Sequence, residues 1–294
     1  MEVNEQQVVM KFKKFPTLAS EMRHHILTYS YPSELFNYSQ CSKMSNADFQ
    51  PFISNNTKSP TEMFLIKNHA GVLVNMTYKN KEVEKQFDLC DNILENIREY
   101  LLKFYKYVEK GKIERLWINM WTWPTQLLEI EHLSRIPNWQ VSLYPSMYEG
   151  FMEYVSIGSH NVEKLKIENA TSGMTLGQEF FKSAFFKNLS EADLSRVRCD
   201  IDDVDFMESK HQRLEIVTNT LSFDAIQRKV RRMTNPQQKD IHICITLPDD
   251  STRDFRRCGI FPDSPFGGNH RYGKVNMDVA INGKELVIVR LRDN

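Results

Sequence analysis

From Glu62 onward the chain alternates between apolar–polar stretches of period two and stretches whose apolar residues recur at three and four. These are the signatures of half-buried strands and amphipathic helices. Glu62–Lys67, Gly71–Tyr78 and Glu82–Phe87 read as three strands, joined by the turns Asn68-His69-Ala70-Gly71 and Lys79-Asn80-Lys81, and predict a small antiparallel meander. Asp91 to about Lys110 then predicts a helix, with Ile93, Ile97, Leu101, Phe104 and Val108 on one face and Gly111 past its end.

Beyond it, one pattern repeats: apolar, two residues, apolar, one residue, apolar. It fits Ile113-x-x-Leu116-x-Ile118, Ile136-x-x-Trp139-x-Val141, Val162-x-x-Leu165-x-Ile167, Leu189-x-x-Ala192-x-Leu194 and His211-x-x-Leu214-x-Ile216, and in part Ile241-x-Ile243-x-Ile245. The first five begin at 113, 136, 162, 189 and 211, spacings of 23, 26, 27 and 22 residues, the period of leucine-rich-repeat-like arrays. Between them Thr125–Ile136, Met147–Val155, Leu176–Lys187, Val204–Lys210 and Ser222–Met233 read as helices. The expected fold class is therefore α/β, with parallel strands on one side of an arc and helices on the other.

Residues flanking the inward positions are mostly polar: Arg115 and Asn119, Asn138 and Gln140, Lys164 and Lys166, Glu191 and Asp193, Arg213 and Glu215. A sheet covered on both faces would show continuous aliphatic runs instead, so one face is expected to lie open. Phe261–Gly273 reads as a Gly/Pro loop, and Lys274–Leu291 as a hairpin around Asn282-Gly283 that closes the array.

The N-terminal stretch is different. Between Phe15 and Lys43 two short helical patterns flank Tyr31-Pro32; Met22, Ile26 and Leu27 share the first stripe, and Leu35, Phe36 and Tyr38 the second. Helices this short must lay their stripes on something larger. Leu18, Met22, Ile26-Leu27, Pro32, Leu35 and the close Ser39-Gln-Cys-Ser-Lys43 stand at F-box spacing. The stretch resembles the F-box, the module that plugs a substrate receptor into the Skp-type adaptor of a cullin–RING ubiquitin ligase. Phe15-Pro16 and the Cys-Ser-Lys close are most similar to nematode F-box proteins, whose F-box-associated domain is taken to bind the protein to be ubiquitinated. Ala19 replaces the usual Pro, and Met44 stands where many F-boxes carry Trp-Arg. The resemblance implies F-box helices over 1–47, a linker over 48–60 and a substrate-binding domain over 61–294. It also implies adaptor contacts through Leu18, Met22, Ile26, Leu27, Pro32, Leu35 and Phe36. The alternative is an interaction scaffold of the same repeats without ligase coupling.

Composition narrows the partners. Lys+Arg and Asp+Glu are 38 each in 294 residues, so a general nucleic-acid or anionic-membrane binder is not expected. No apolar run approaches a membrane span or signal core, and five scattered cysteines read as reduced thiols, so cytoplasm or nucleus is expected.

Chemistry is sparse. Asp200, Asp202, Asp203 and Asp205 lack the Gly and terminal Glu of a calcium loop and read as a helix start. His24-His25 lack ligand partners, His242 and Cys244 lack an orienting group, and Arg228–Arg232 reads as the solvated side of a helix. Neither catalysis nor a cofactor nor a metal is expected. The tryptophans are the exception: Trp139 falls on the core face, but Trp117 falls on the open face with Trp121 and Trp123 in the loop after it, beside Arg115. Exposed Trp with Arg is the composition of interface hot spots, so Arg115, Trp117, Trp121 and Trp123 are the candidate target-binding residues.

Overall fold

The structure is a computed structural model that describes Met22 and residues 60–78, 81–105, 113–157, 161–233, 241–257, 267–272 and 275–292. Of the F-box-like stretch only Met22 is described, as a helical residue with an exposed side chain. The other adaptor residues expected from the sequence, and the linker up to Ser59, lie outside the described residues.

Thirteen strands among the described residues form one mixed sheet. β1 (Glu62–Asn68), β2 (Gly71–Tyr78) and β3 (Lys81–Asp88) are the antiparallel meander the alternation predicts. Gly71 is required at its first turn: its φ is +148, and a Cβ there would stand 2.0 Å from the Phe87 carbonyl oxygen. Asn68 Oδ1 accepts from the backbone N–H of both Ala70 and Gly71 at 2.9 Å, closing the turn.

The meander is no separate unit. β1 pairs in parallel with β4 (Arg115–Asn119), placing Phe64 opposite Trp117. From β4 the sheet continues in parallel through β5 (Asn138–Leu143), β6 (Lys164–Ala170), β8 (Glu191–Cys199), β9 (Arg213–Val217) and β10 (Ile241–Thr246). The two-residue β7 (Thr175–Leu176) pairs with the far half of β8, which β6 does not reach. Strands expected from the repeat pattern thus form in chain order.

Helices cover the face carrying Leu116, Trp139, Leu165, Ala192, Leu214 and Ile243, all buried in one continuous core. They are α1 (Ile93–Phe104), α2 (Thr125–Leu128), α3 (Glu131–Ser134), α4 (Pro145–Ile157), α5 (Gln178–Lys182), α6 (Ala184–Asn188), α7 (Asp203–Glu208) and α8 (Phe223–Met233). Thr125–Ile136, expected as one helix, is two single turns, because Ile130 leaves the helical conformation at φ −64, ψ 121. Leu176–Lys187 likewise divides at Ser183, whose hydroxyl caps α6 by accepting from Phe186 N–H at 3.1 Å. Phe180, Phe181, Phe185 and Phe186 from α5 and α6 bury together, with Phe180–Phe181 and Phe181–Phe186 ring centroids 5.2 and 5.0 Å apart in edge-to-face contact.

At the C-terminal side two expectations are corrected. Gly267–Tyr272, read as loop, forms β11 and pairs antiparallel with β12 (Val275–Asn282). Its Gly/Asn composition hid a strand whose pairing comes from the neighbour rather than from propensity. β12 and β13 (Glu285–Arg292) form the expected hairpin, but the turn is Gly283-Lys284, one residue later than Asn282-Gly283. Gly283 takes φ +44, and Lys284 Nζ donates to the carbonyls of Pro248, Asp249 and Ser251 at 3.2, 2.6 and 2.8 Å. β13 pairs antiparallel with β10 and covers the edge of the parallel array.

Candidate functional site

The face away from the helices carries register-aligned rows that cross the strands. One row runs Glu62, Arg115, Asn138, Lys164, Glu191, Arg213, His242. The next runs Phe64, Trp117, Gln140, Lys166, Asp193, Glu215, Cys244. All of these side chains are exposed or half-buried, as the alternation requires. Ser142 departs from the expected exposure: it is buried, next to the point where the register shifts and Glu168 of β6 is left without a partner in β5.

Over the repeats this face neutralises itself. Arg115 pairs with Glu62 at 2.9 Å, Lys164 with Glu191 at 2.5 Å, and Lys166 with Glu168 at 2.6 Å. Arg213 Nε donates to Glu215 Oε1 at 2.7 Å, and Asp193 accepts from the Ser195 hydroxyl at 2.6 Å. The middle of the face forms a shallow polar depression of about 480 Å³ lined by Arg115, Gln140, Lys166, Asp193 and Arg213, among others. Exposed pairs of this kind contribute about 0–1 kcal/mol each to stability, so they shape the surface more than they hold the fold.

The apolar exception lies at the β1/β4 end. Trp117 and Phe64 face one another with centroids 5.3 Å apart, half-buried, and Ile66 and Leu73 continue the patch toward β2. The Trp117 indole N–H is buried among neighbours without an acceptor. Of the expected target-binding residues, Arg115 and Trp117 are together on the open face. Trp121 is half-buried against the core.

Trp123 is a correction. It is 6% exposed and belongs to the helix side, edge-to-face with Phe151 at 5.0 Å and tilted against Trp139 at 6.2 Å. The loop after β4 folds back over α4, where Gly150 leaves room; a Cβ there would meet Trp123 Cβ at 2.8 Å. A glycine inside an otherwise good helix was the sequence signal for that close approach.

The remaining described candidates resolve into structural roles, and His24-His25 lie outside the described residues. Asp202 caps α7 by accepting from Asp205 N–H at 2.8 Å, and Asp203 accepts from Ser222 N–H and Oγ at 2.8 and 2.6 Å, tying α7 to the start of α8. Among the described residues no three His, Cys, Asp or Glu side chains converge to hold a metal ion. Cys244 donates its thiol toward Glu285 Oε1 at 3.6 Å; burial, then the Glu285 and Glu215 carboxylates, push it up to about 12, so at neutral pH it stays a thiol.

Lys229 does not face solvent with Arg228, Arg231 and Arg232. It is buried, donating to the Met207 carbonyl at 3.4 Å and the Ser209 hydroxyl at 3.0 Å, where α7 leaves carbonyls without helical partners. Burial, then the charge of Arg232, pull its amine down to about 8. No described helix is long and apolar enough to cross a membrane.

Phe64, Asn75, Glu82 and Glu84 share the open face beside Trp117, and sequence reasoning missed them. Alternation in β1 and β2 gives their parity, but nothing local says that β1 lies beside β4. Comparison with protein-family models, with curated proteins and with solved structures returns no match for the chain.

Proposed function

We propose that this chain is the substrate-recognition subunit of a cullin–RING ubiquitin ligase, with its F-box-like N-terminus on a Skp-type adaptor and its open strand face on a target protein. One observation carries the target half of this reading: a sheet face left uncovered by the described helices, polar and largely self-neutralised across its repeats, with the aromatic pair Phe64 and Trp117 at its end. A broad, shallow, wet surface with an aromatic anchor suits a protein partner better than a small molecule, which needs a concave apolar pocket. The adaptor half rests on the F-box spacing of Leu18, Met22, Ile26, Leu27, Pro32, Leu35 and Phe36. Ubiquitin transfer would then occur on other subunits, and no residue here is assigned to catalysis.

The second reading keeps the open face and drops the ligase. Ala19 in place of Pro and Met44 in place of the Trp-Arg pair favour a scaffold that has lost adaptor binding. Co-purification separates the two. Ile26→Asp or Leu35→Asp should abolish adaptor capture by placing an unpaired charge at a buried contact, while Trp117→Ala leaves adaptor capture intact and removes the target. Adaptor capture that survives both aspartates refutes the ligase reading.

A further inference from the structure

Glu82 and Glu84 stand on the edge strand β3 with their side chains exposed and, by register with Thr77 and Asn75, on the same open face as Phe64 and Trp117. Neither is in an ion pair with a described cation, unlike Glu62, Glu168, Glu191 and Glu215 on the same face. What they share is the Asn75 side-chain amide, which donates to Glu82 Oε2 at 3.4 Å and to Glu84 Oε1 at 3.3 Å. The two carboxylates together give this corner of the face a local negative charge. Asn75 is itself 9% exposed, and its Oδ1 is buried with no donor. Two exposed carboxylates thus stand side by side next to an apolar patch built from Phe64, Ile66, Leu73 and Trp117.

We propose that this end of the open face takes a basic, hydrophobic segment of the target protein, with a Lys or Arg between Glu82 and Glu84 and an aromatic or aliphatic side chain on Phe64 and Trp117. The inference rests on the open face being the target surface and adds the chemistry of what it holds. An incoming cation meets two exposed carboxylates that no described cation pairs with, so the charges are complementary. The apolar anchor removes the half-buried Phe64–Trp117 pair from water. Register also sets the spacing. Glu84 lies two strands from Phe64 and three from Trp117, roughly 10–14 Å at the interstrand distance. An extended segment crossing the strands covers that in roughly three or four residues.

Selection of a random-peptide display library on the full chain tests this, with affinities of selected peptides measured by fluorescence anisotropy on wild type, Glu82→Gln/Glu84→Gln and Trp117→Ala. Peptides should pair a Lys or Arg with an aromatic or aliphatic residue at that spacing. Glu82→Gln/Glu84→Gln should weaken them roughly tenfold at low salt, less at high salt, with an unchanged melting curve. If Trp117→Ala removes binding and the double Gln variant does not, the basic segment is wrong while the open-face reading stands. Phe64→Ala serves the same purpose should Trp117→Ala fail to fold. If the library yields no binder, or binders indifferent to both aromatics, the proposal and the open-face reading fall together.

Discussion

His211 lies behind β9 on the helix side, 5% exposed, with its ring 4.4 Å from that of Phe186. Its Nε2 is 3.0 Å from the Phe186 carbonyl oxygen, which can only accept, so Nε2 carries the proton and the buried Nδ1 is left without a donor. Protonating Nδ1 would place a cation in the core near Lys229. Burial therefore lowers the imidazole to about 4 from its usual 6.5, with the Lys229 charge adding to the effect and the Phe186 bond opposing it. The folded state binds this proton less readily than the unfolded one, so the stabilising contribution is complete above about pH 6.5 and is lost as pH falls toward 4. At about 1.4 kcal/mol per tenfold change in proton affinity the full loss is about 3 kcal/mol, of which about 2 kcal/mol is gone by pH 5. Urea unfolding of wild type and His211→Leu across this range isolates it, because the other titrating groups cancel in the difference. The lost bond to Phe186 O offsets the variant by an amount constant with pH. Wild type should lose about 2 kcal/mol relative to His211→Leu between pH 7.5 and pH 5. A flat difference would mean that His211 titrates as if solvated, and a rise toward acid would mean that it meets a carboxylate.

Three further predictions follow from the packing. Leu165→Ala, on the buried side of β6, should cost about 2–5 kcal/mol, whereas Lys166→Ala on the open side loses only the exposed pair with Glu168 and should stay within about 1 kcal/mol of wild type in thermal melts. Gly71→Ala should lower the melting temperature, since strain at φ +148 alone costs about 1–3 kcal/mol before the contact with Phe87 O is relieved. Trp123→Ala should cost about 3–5 kcal/mol as a core truncation and Trp117→Ala clearly less, measured by urea unfolding; the reverse order would exchange their places in the fold.

Much of this architecture was legible because its strands and helices bury one face each. Alternation in Lys164-Leu165-Lys166-Ile167 and Arg213-Leu214-Glu215-Ile216 gives both the strand and its exposed side without any tertiary knowledge. What was not legible depends on partners distant in the chain. The parallel pairing of β1 with β4 unites the meander with the array and sets Phe64 against Trp117, yet no residue of either strand encodes it locally. Lys229 sits in a run of basic residues that reads as solvated until the carbonyls at the end of α7 are placed beside it. Trp123 was misassigned because a loop position normally means exposure, and only the fold-back over Gly150 reverses that. The same dependence separates the candidate site from its sequence reading: Arg115 and Trp117 were found through parity alone, whereas Asn75, Glu82 and Glu84 required the sheet order.

Calorimetric titration of the full chain with purified Skp-type adaptor tests the central claim most directly. Wild type and Trp117→Ala should bind with the same affinity and a negative heat-capacity change from burial of the Ile26 and Leu35 stripes, and Ile26→Asp should give no heat of binding. A wild-type chain that melts cooperatively and shows no heat with the adaptor would contradict the account.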